Sequence, residues 1–129
     1  MKVFHRILFV GRRDQSEPWM QDLAARRFSV MATEDWQRGL DELTLSDFAL
    51  VVIDLVSARD GIELIKRMRR LATLRRIPIL VVGEWGTGLP SLAMSAGANA
   101  YEPTMDAAQV IGSVERLVHI KAVAAGAYE

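Results

Sequence analysis

The chain has 129 residues, 50% hydrophobic and 25% charged, with 16 basic side chains balanced by 16 acidic ones and no cysteine. That length suits one domain with a substantial core and is short for two. The neutral balance excludes a whole-molecule field that would draw the chain to nucleic acid or an anionic membrane, and the missing thiols exclude disulfides and thiolate metal sites. No apolar run approaches the roughly 18 residues of a membrane span, so none is expected. The charged opening Met1-Lys2-Val3-Phe4-His5-Arg6 lacks the form of a secretory signal, and the cytoplasm is the expected location.

Taken in order, the chain alternates two kinds of segment. Ile7 to Val10 is a short apolar run, the pattern of a strand buried on both faces. Trp19 and Leu23, four apart, then mark a helix, with Ser16 ahead of Pro18 as its start signal. Phe28 to Thr33 reads as a second strand. Asp35 is placed to cap a second helix whose stripe is Trp36, Leu40 and Leu43. Ala49 to Ile53 is the third strand, and Asp60 precedes a helix carrying Leu64, Met68 and Leu71. Ile77 to Val82 is the fourth strand. Around Pro90, with Thr87 or Ser91 as start signal, Leu89, Leu92, Ala93 and Ala96 form a fourth stripe that can end at Gly97. Ala98 to Tyr101 is a fifth strand candidate. After Asp106 the last stripe runs through Val110, Ile111, Val114, Leu117 and Val118. From Ala122 the amphipathic period is lost, so the domain is expected over 1–121, with 122–129 as a tail that frays or leads toward an output domain.

Strands alternating with helices of this length need right-handed crossovers, which place helices on both faces of a parallel sheet. The fold class expected is α/β, a five-stranded parallel flavodoxin-like sheet in the order 2-1-3-4-5. In such a sheet the site lies at the carboxyl ends of the strands, near the switch point between strands 1 and 3. That rule selects Gly11, Arg12, Arg13 and Asp14 after the first strand, Asp54 after the third, Gly83 and Glu84 after the fourth, and Glu102 to Thr104 after the fifth.

Phe48-Ala49-Leu50-Val51-Val52-Ile53-Asp54-Leu55, followed by Asp60-Gly61-Ile62-Glu63-Leu64-Ile65, resembles the segment of response-regulator receiver domains in which the phosphoacceptor aspartate ends strand 3. Ile77-Pro78-Ile79-Leu80-Val81-Val82 and Ala96-Gly97-Ala98-Asn99-Ala100-Tyr101 resemble the family's fourth strand and its approach to the fifth. The resemblance covers Arg6 to Leu117. It implies that Asp54 stands at the phosphoacceptor position and Tyr101 at the aromatic switch position.

The departures point to a degenerate member. Receivers carry two acids after strand 1 that bind Mg²⁺ together with the acceptor; Gly11 and Arg12 stand there. The Ser/Thr after strand 4 is Gly83, the Lys after strand 5 is Thr104 with Met105 in place of proline, and Ser57-Ala58 replaces Met-Pro. Phosphoryl transfer to a carboxylate needs a cation to neutralise charge on the phosphoryl oxygens, and a guanidinium where carboxylates are needed repels Mg²⁺. Asp14 and Glu84 are nearby acids that could rebuild a pocket in shifted register. Asp54 otherwise caps the following loop or pairs with Arg12 or Arg13, and an Arg12–Asp54 contact is the expected replacement for the metal.

The remaining features have plain readings beside functional ones. Tyr101 is read as a core aromatic whose hydroxyl reaches the surface. The basic residues Lys66, Arg67, Arg69, Arg70, Arg75 and Arg76 are read as a solvated helix end and not as a nucleic-acid patch. His5 and His119 are far apart in the chain and suggest no metal site, and the methionines are read as core filler. Gly83-Glu84-Trp85-Gly86-Thr87-Gly88 is a glycine-rich turn that matches no phosphate-binding motif, and Trp85 is a candidate interface anchor. The expected function is that of an atypical receiver in two-component signal transduction: a protein-interaction module independent of phosphorylation, without cofactor or metal and not an enzyme. The resemblance adds self-association through helix 4, strand 5 and helix 5. The alternatives are residual phosphoacceptance at Asp54, or a flavin- or phosphate-binding domain.

Overall fold

A computed structural model describes residues 5–84, 86–103 and 107–124. Trp85, Thr104, Met105, Asp106 and residues 125–129 lie outside the described residues. The element order is β1 (His5–Val10), α1 (Arg13–Ala25), β2 (Phe28–Thr33), α2 (Trp36–Leu45), β3 (Leu50–Asp54), a 3-10 turn (Arg59–Gly61), α3 (Ile62–Arg70), β4 (Ile79–Val82), α4 (Leu89–Ala96), β5 (Ala100–Glu102) and α5 (Ala107–Ala124). All four strand pairings are parallel and the sheet order is β2-β1-β3-β4-β5, as the alternating pattern predicts.

The apolar runs alternate between two layers. Leu8, Val10, Val51, Ile53, Ile79 and Val81 face one core, packed against Leu43 of α2, Leu64, Ile65 and Met68 of α3 and Ala93 of α4. Ile7, Phe9, Leu50, Val52, Leu80 and Val82 face the other, against Trp19 and Leu23 of α1 and Val110, Val114 and Leu117 of α5. Each fully buried aliphatic side chain of this size contributes about 1.5–3 kcal/mol. A strand that must fill both layers has no room for alternation, which is why β1, β3 and β4 read as continuous apolar runs.

Several boundaries differ from the sequence reading. α1 begins at Arg13, ahead of Ser16, and carries Pro18 inside it. Asp35 caps α2 as expected, its carboxylate accepting from the Gln37 N–H at 2.8 Å. At α4 it is the Thr87 hydroxyl that accepts, from the Leu89 N–H at 3.3 Å. β5 starts at Ala100, two residues late, because the Ala98 N–H still closes the end of α4 by bonding the Ala93 carbonyl at 3.0 Å. Leu71 and Leu92, read as core positions, are 40% and 47% exposed: Leu71 falls beyond the end of α3, and Ala93 takes the buried place in α4. Met94, read as core filler, is also exposed. α5 runs to Ala124, past residue 121. Among the described residues no helix is long and apolar enough to cross a membrane.

Candidate functional site at the carboxyl edge of the sheet

The strand register brings the ends of β1, β3 and β4 together, with Val10 beside Ile53 and Asp54 beside Val82. Asp54 is completely buried. Both of its carboxylate oxygens are engaged within the loop that follows β3: Oδ1 accepts from the Val56 N–H at 3.0 Å and Oδ2 from the Ser57 hydroxyl at 2.7 Å. The Asp54 carbonyl accepts from the Ala58 N–H at 2.9 Å. The side chain therefore acts as the cap of a tight turn, a role aspartate fills through its short, acceptor-only carboxylate.

Ser57 extends this arrangement to β1, since its oxygen also accepts from the Arg12 N–H at 3.0 Å. Its hydroxyl thus ties the β1–α1 and β3–α3 loops together and neutralises no charge in doing so. The expected Arg12–Asp54 pair does not form. The Arg12 guanidinium donates instead to Asp14 at 2.7 Å, with both side chains more than half exposed. Physically the outcome is reasonable, because an exposed partner two residues away costs neither group its hydration, whereas Asp54 is closed off by its own loop.

Gly11 lies against Asp54. Its φ is +156°, and a Cβ built there would stand 2.9 Å from the Asp54 Cβ and 2.9 Å from Phe9 Cζ. No side chain enters that position without moving its surroundings, so the loop is shaped around a glycine and is not a receiver loop with one acid deleted. The residues standing where the fold family implies a divalent cation do not fit one: a glycine with no room for a carboxylate, an arginine paired to Asp14, and a carboxylate with both oxygens already bonded. Asp14 and Glu84 do not rebuild the set, and among the described residues no cluster of three potential metal ligands forms.

After β4, Gly83 and Tyr101 share one volume. A Cβ at Gly83 would run into the Tyr101 hydroxyl, which donates to the Glu84 carbonyl at 2.6 Å. The ring packs against the core beneath α4. Tyr101 is thus a half-buried aromatic packed against the core with its polar tip at the edge, and burial, followed by the charges of Glu84 and Asp54, raises its pKa above the ordinary phenol value.

Two clefts bear on ligand binding. One of about 650 Å³ lies beside β1 and β2, bordered by Arg12, Arg13 and Arg38 but equally by Asp14, Glu34 and Glu42, so it presents no net sign. The other, at the glycine-rich turn, is about 260 Å³ and is lined by Gly86, Gly88, Pro90 and Ser91, below the roughly 300–1,000 Å³ of small-molecule sites. Gly86 and Gly88 have positive φ, which accounts for two of that turn's glycines by backbone need.

One residue with a large role is hidden in the basic cluster. Arg69, read as part of a solvated helix end, is half-buried and donates to the carbonyls of Gly97 at 2.8 Å, Arg75 at 2.8 Å and Ile77 at 2.9 Å, and to Asn99 Oδ1 at 2.8 Å. Asn99 Oδ1 in turn accepts from the Ile79 N–H at 2.8 Å. This clamp sits at the amino edge of the sheet and joins α3, α4 and β4. Arg67, by contrast, reaches over the Trp36 ring at 5.8 Å.

No protein-family model and no curated protein matches the chain. Solved structures match it in fold. A protein assigned to the response regulators, from Chloroflexus aurantiacus, is similar with a TM-score of 0.80 at 21% identity, over 90% of this chain and 98% of that one. The signal receiver domain of a signal transduction histidine kinase from Syntrophus aciditrophicus has a TM-score of 0.77 at 19% identity, over 89% and 90% of the two chains. The chemotaxis response regulator CheY4 of Vibrio cholerae has a TM-score of 0.77 at 16% identity, over 89% and 99%. The chain thus has the fold of response-regulator receiver domains over nearly all its length.

Proposed function

We propose that the chain is a receiver-like domain of two-component signalling, in the cytoplasm, that works through protein contacts and not through phosphoryl transfer, and that it is not an enzyme. The observation that carries this reading is the condition of Asp54, which is buried with both carboxylate oxygens bonded inside its own loop. An acceptor must present an oxygen to the phosphorus in line with the leaving group, beside a cation. Here that would require breaking the turn, with Gly11 and Arg12 where the cation's acids belong. The partner surface we favour is α4 with β5 and α5. α4 contains no charged residue and exposes Leu92 and Met94, one on each flank of the buried Ala93, apolar side chains of the sort that protein partners cover.

A second reading, residual phosphoacceptance, draws on Asp54 keeping its place at the end of β3; a flavin or phosphate ligand draws only on the glycine-rich turn. Thermal unfolding of the chain with Mg²⁺ or flavin mononucleotide distinguishes these. A ligand that binds the folded state at 100 times its Kd adds about 2.7 kcal/mol. An unchanged melting temperature supports the contact reading, a rise with Mg²⁺ supports the acceptor, and a rise with flavin mononucleotide supports the ligand site.

A further inference from the structure

β2 is an edge strand, and its sequence is unusual for one. Phe28–Thr33 contains no charged residue and no proline, whereas edge strands commonly carry lysine, proline or a bulge to discourage pairing. The His5 N–H bonds the Arg27 carbonyl at 2.9 Å and the Gly11 N–H bonds the Thr33 carbonyl at 2.8 Å. The odd-numbered residues therefore face β1, and the N–H and C=O groups of Phe28, Val30 and Ala32 point outward, with no sheet partner among the described residues. An open apolar groove of about 680 Å³ runs beside them, with Met20, Ala24, Phe28 and Val30 in its walls.

The ends of the strand show what fits. Arg26 and Arg27 precede it and Glu34 and Asp35 follow it, all four exposed. Arg26 makes one long ion pair, at 3.6 Å to Glu115, and among the described residues Arg27 and Glu34 make none. A strand with two cations at its start and two anions at its end is complementary to its own antiparallel copy and not to a parallel one.

We propose that β2 is a self-association edge, on which a second copy of this chain pairs antiparallel to give a continuous sheet across a two-fold axis. An axis normal to the sheet keeps each face continuous and so requires opposed residues of equal parity. The register centred on Met31 satisfies that. It sets Val30 opposite Ala32, Ser29 opposite Thr33, Phe28 opposite Glu34, and Arg27 opposite Asp35. Phe28, Val30 and Ala32 lie on the α1 and α5 side and Met31 on the α2 side, so half-covered Val30 meets Ala32 on one face and Met31 meets its own copy on the other. The surface is at the other edge of the sheet from α4 and does not rest on the reading of Asp54.

Sedimentation equilibrium of the chain tests this at low and high salt. The wild type is expected to dimerise, more weakly at high salt. Arg27→Glu should raise the dissociation constant about tenfold or more, because the substitution acts at both ends of the pair, and combining it with Asp35→Arg, its opposed residue, should recover most of the loss. Val30→Pro removes an outward N–H without touching the ladder to β1 and should also give monomer; if it fails to fold, the charge variants still decide. A wild type that stays monomeric at its highest soluble concentration overturns the proposal. So does a dimer indifferent to Arg27→Glu, or one lost in Leu92→Lys alone, which would assign self-association to α4.

Discussion

At Asp54 the same carboxylate that could accept a phosphoryl group is used to close a turn, and the substitutions that separate these uses differ in direction. Asp54→Asn keeps an acceptor for the Val56 N–H and turns an amide toward Ser57, so it should cost about 1 kcal/mol. Ser57→Ala should cost more, about 1.5–3 kcal/mol, because it strips a buried carboxylate oxygen and the Arg12 N–H of their partner together. Urea unfolding of the two variants gives the order. If Asp54→Asn proved the more damaging of the two, the charge itself, and not the hydroxyl bridge, would be what organises the loop. Tyr101 offers a pH test. Its folded pKa is raised above the 10.0 of the free phenol, so its contribution is fully present below pH 10 and is lost as pH rises through the folded value. Tyr101→Phe should cost about 0.5–1.5 kcal/mol near neutrality, for the bond to Glu84, and should flatten the fall of stability above pH 10. Denaturant midpoints of both proteins across that range check it. The sequence places Asp54 at the end of the third strand and Tyr101 in the fifth, where the fold has them, because strand ends and glycine punctuation locate them. It leaves the Arg12–Asp14 pairing and the Gly83–Tyr101 contact unread, since side-chain direction and atomic crowding are not encoded in spacing.

Among the elements, legibility follows how strongly burial fixes the pattern. β1, β3 and β4 are filled on both faces and announce themselves as apolar runs, and the α5 stripe from Val110 to Val118 is wholly core. α1 and β5 are less legible. Pro18 suggests a helix start only if the helix cannot begin upstream of it, and β5 is three residues long with every side chain half-exposed, so little burial marks its limits. The turn ahead of β5 is also held by Arg69, twenty-eight residues earlier than the Gly97 carbonyl it bonds. No local rule connects an arginine in a basic helix end to that carbonyl. Arg69→Ala should destabilise by about 2 kcal/mol or more, by taking this donor from the part-buried carbonyls of Gly97 and Ile77. Arg69→Lys should recover little, since one ammonium cannot span the four acceptors that the guanidinium fork reaches. Thermal melts of the two variants measure this, and an Arg69→Lys variant as stable as wild type would show that charge, and not the fork, is what α3 contributes there.

For the molecule as a whole, balanced charge and a filled interior leave function to local surfaces and to the carboxyl edge of the sheet. The chain has a receiver fold in which Asp54 ends β3 as a buried turn cap, beside a glycine packed on its Cβ, a serine bridge and an arginine turned to another partner. Much of that was readable, because which residues are absent is a property of the sequence; how the vacated space is filled is a property of packing. The central claim is that contact, and not phosphoryl transfer, is this domain's chemistry. Incubation with Mg²⁺ and a small-molecule phosphoryl donor, followed by intact-mass measurement, tests it most directly. The expected result is an unmodified chain, identical to an Asp54→Asn control; a stoichiometric phosphoryl adduct that disappears in that control would contradict the account.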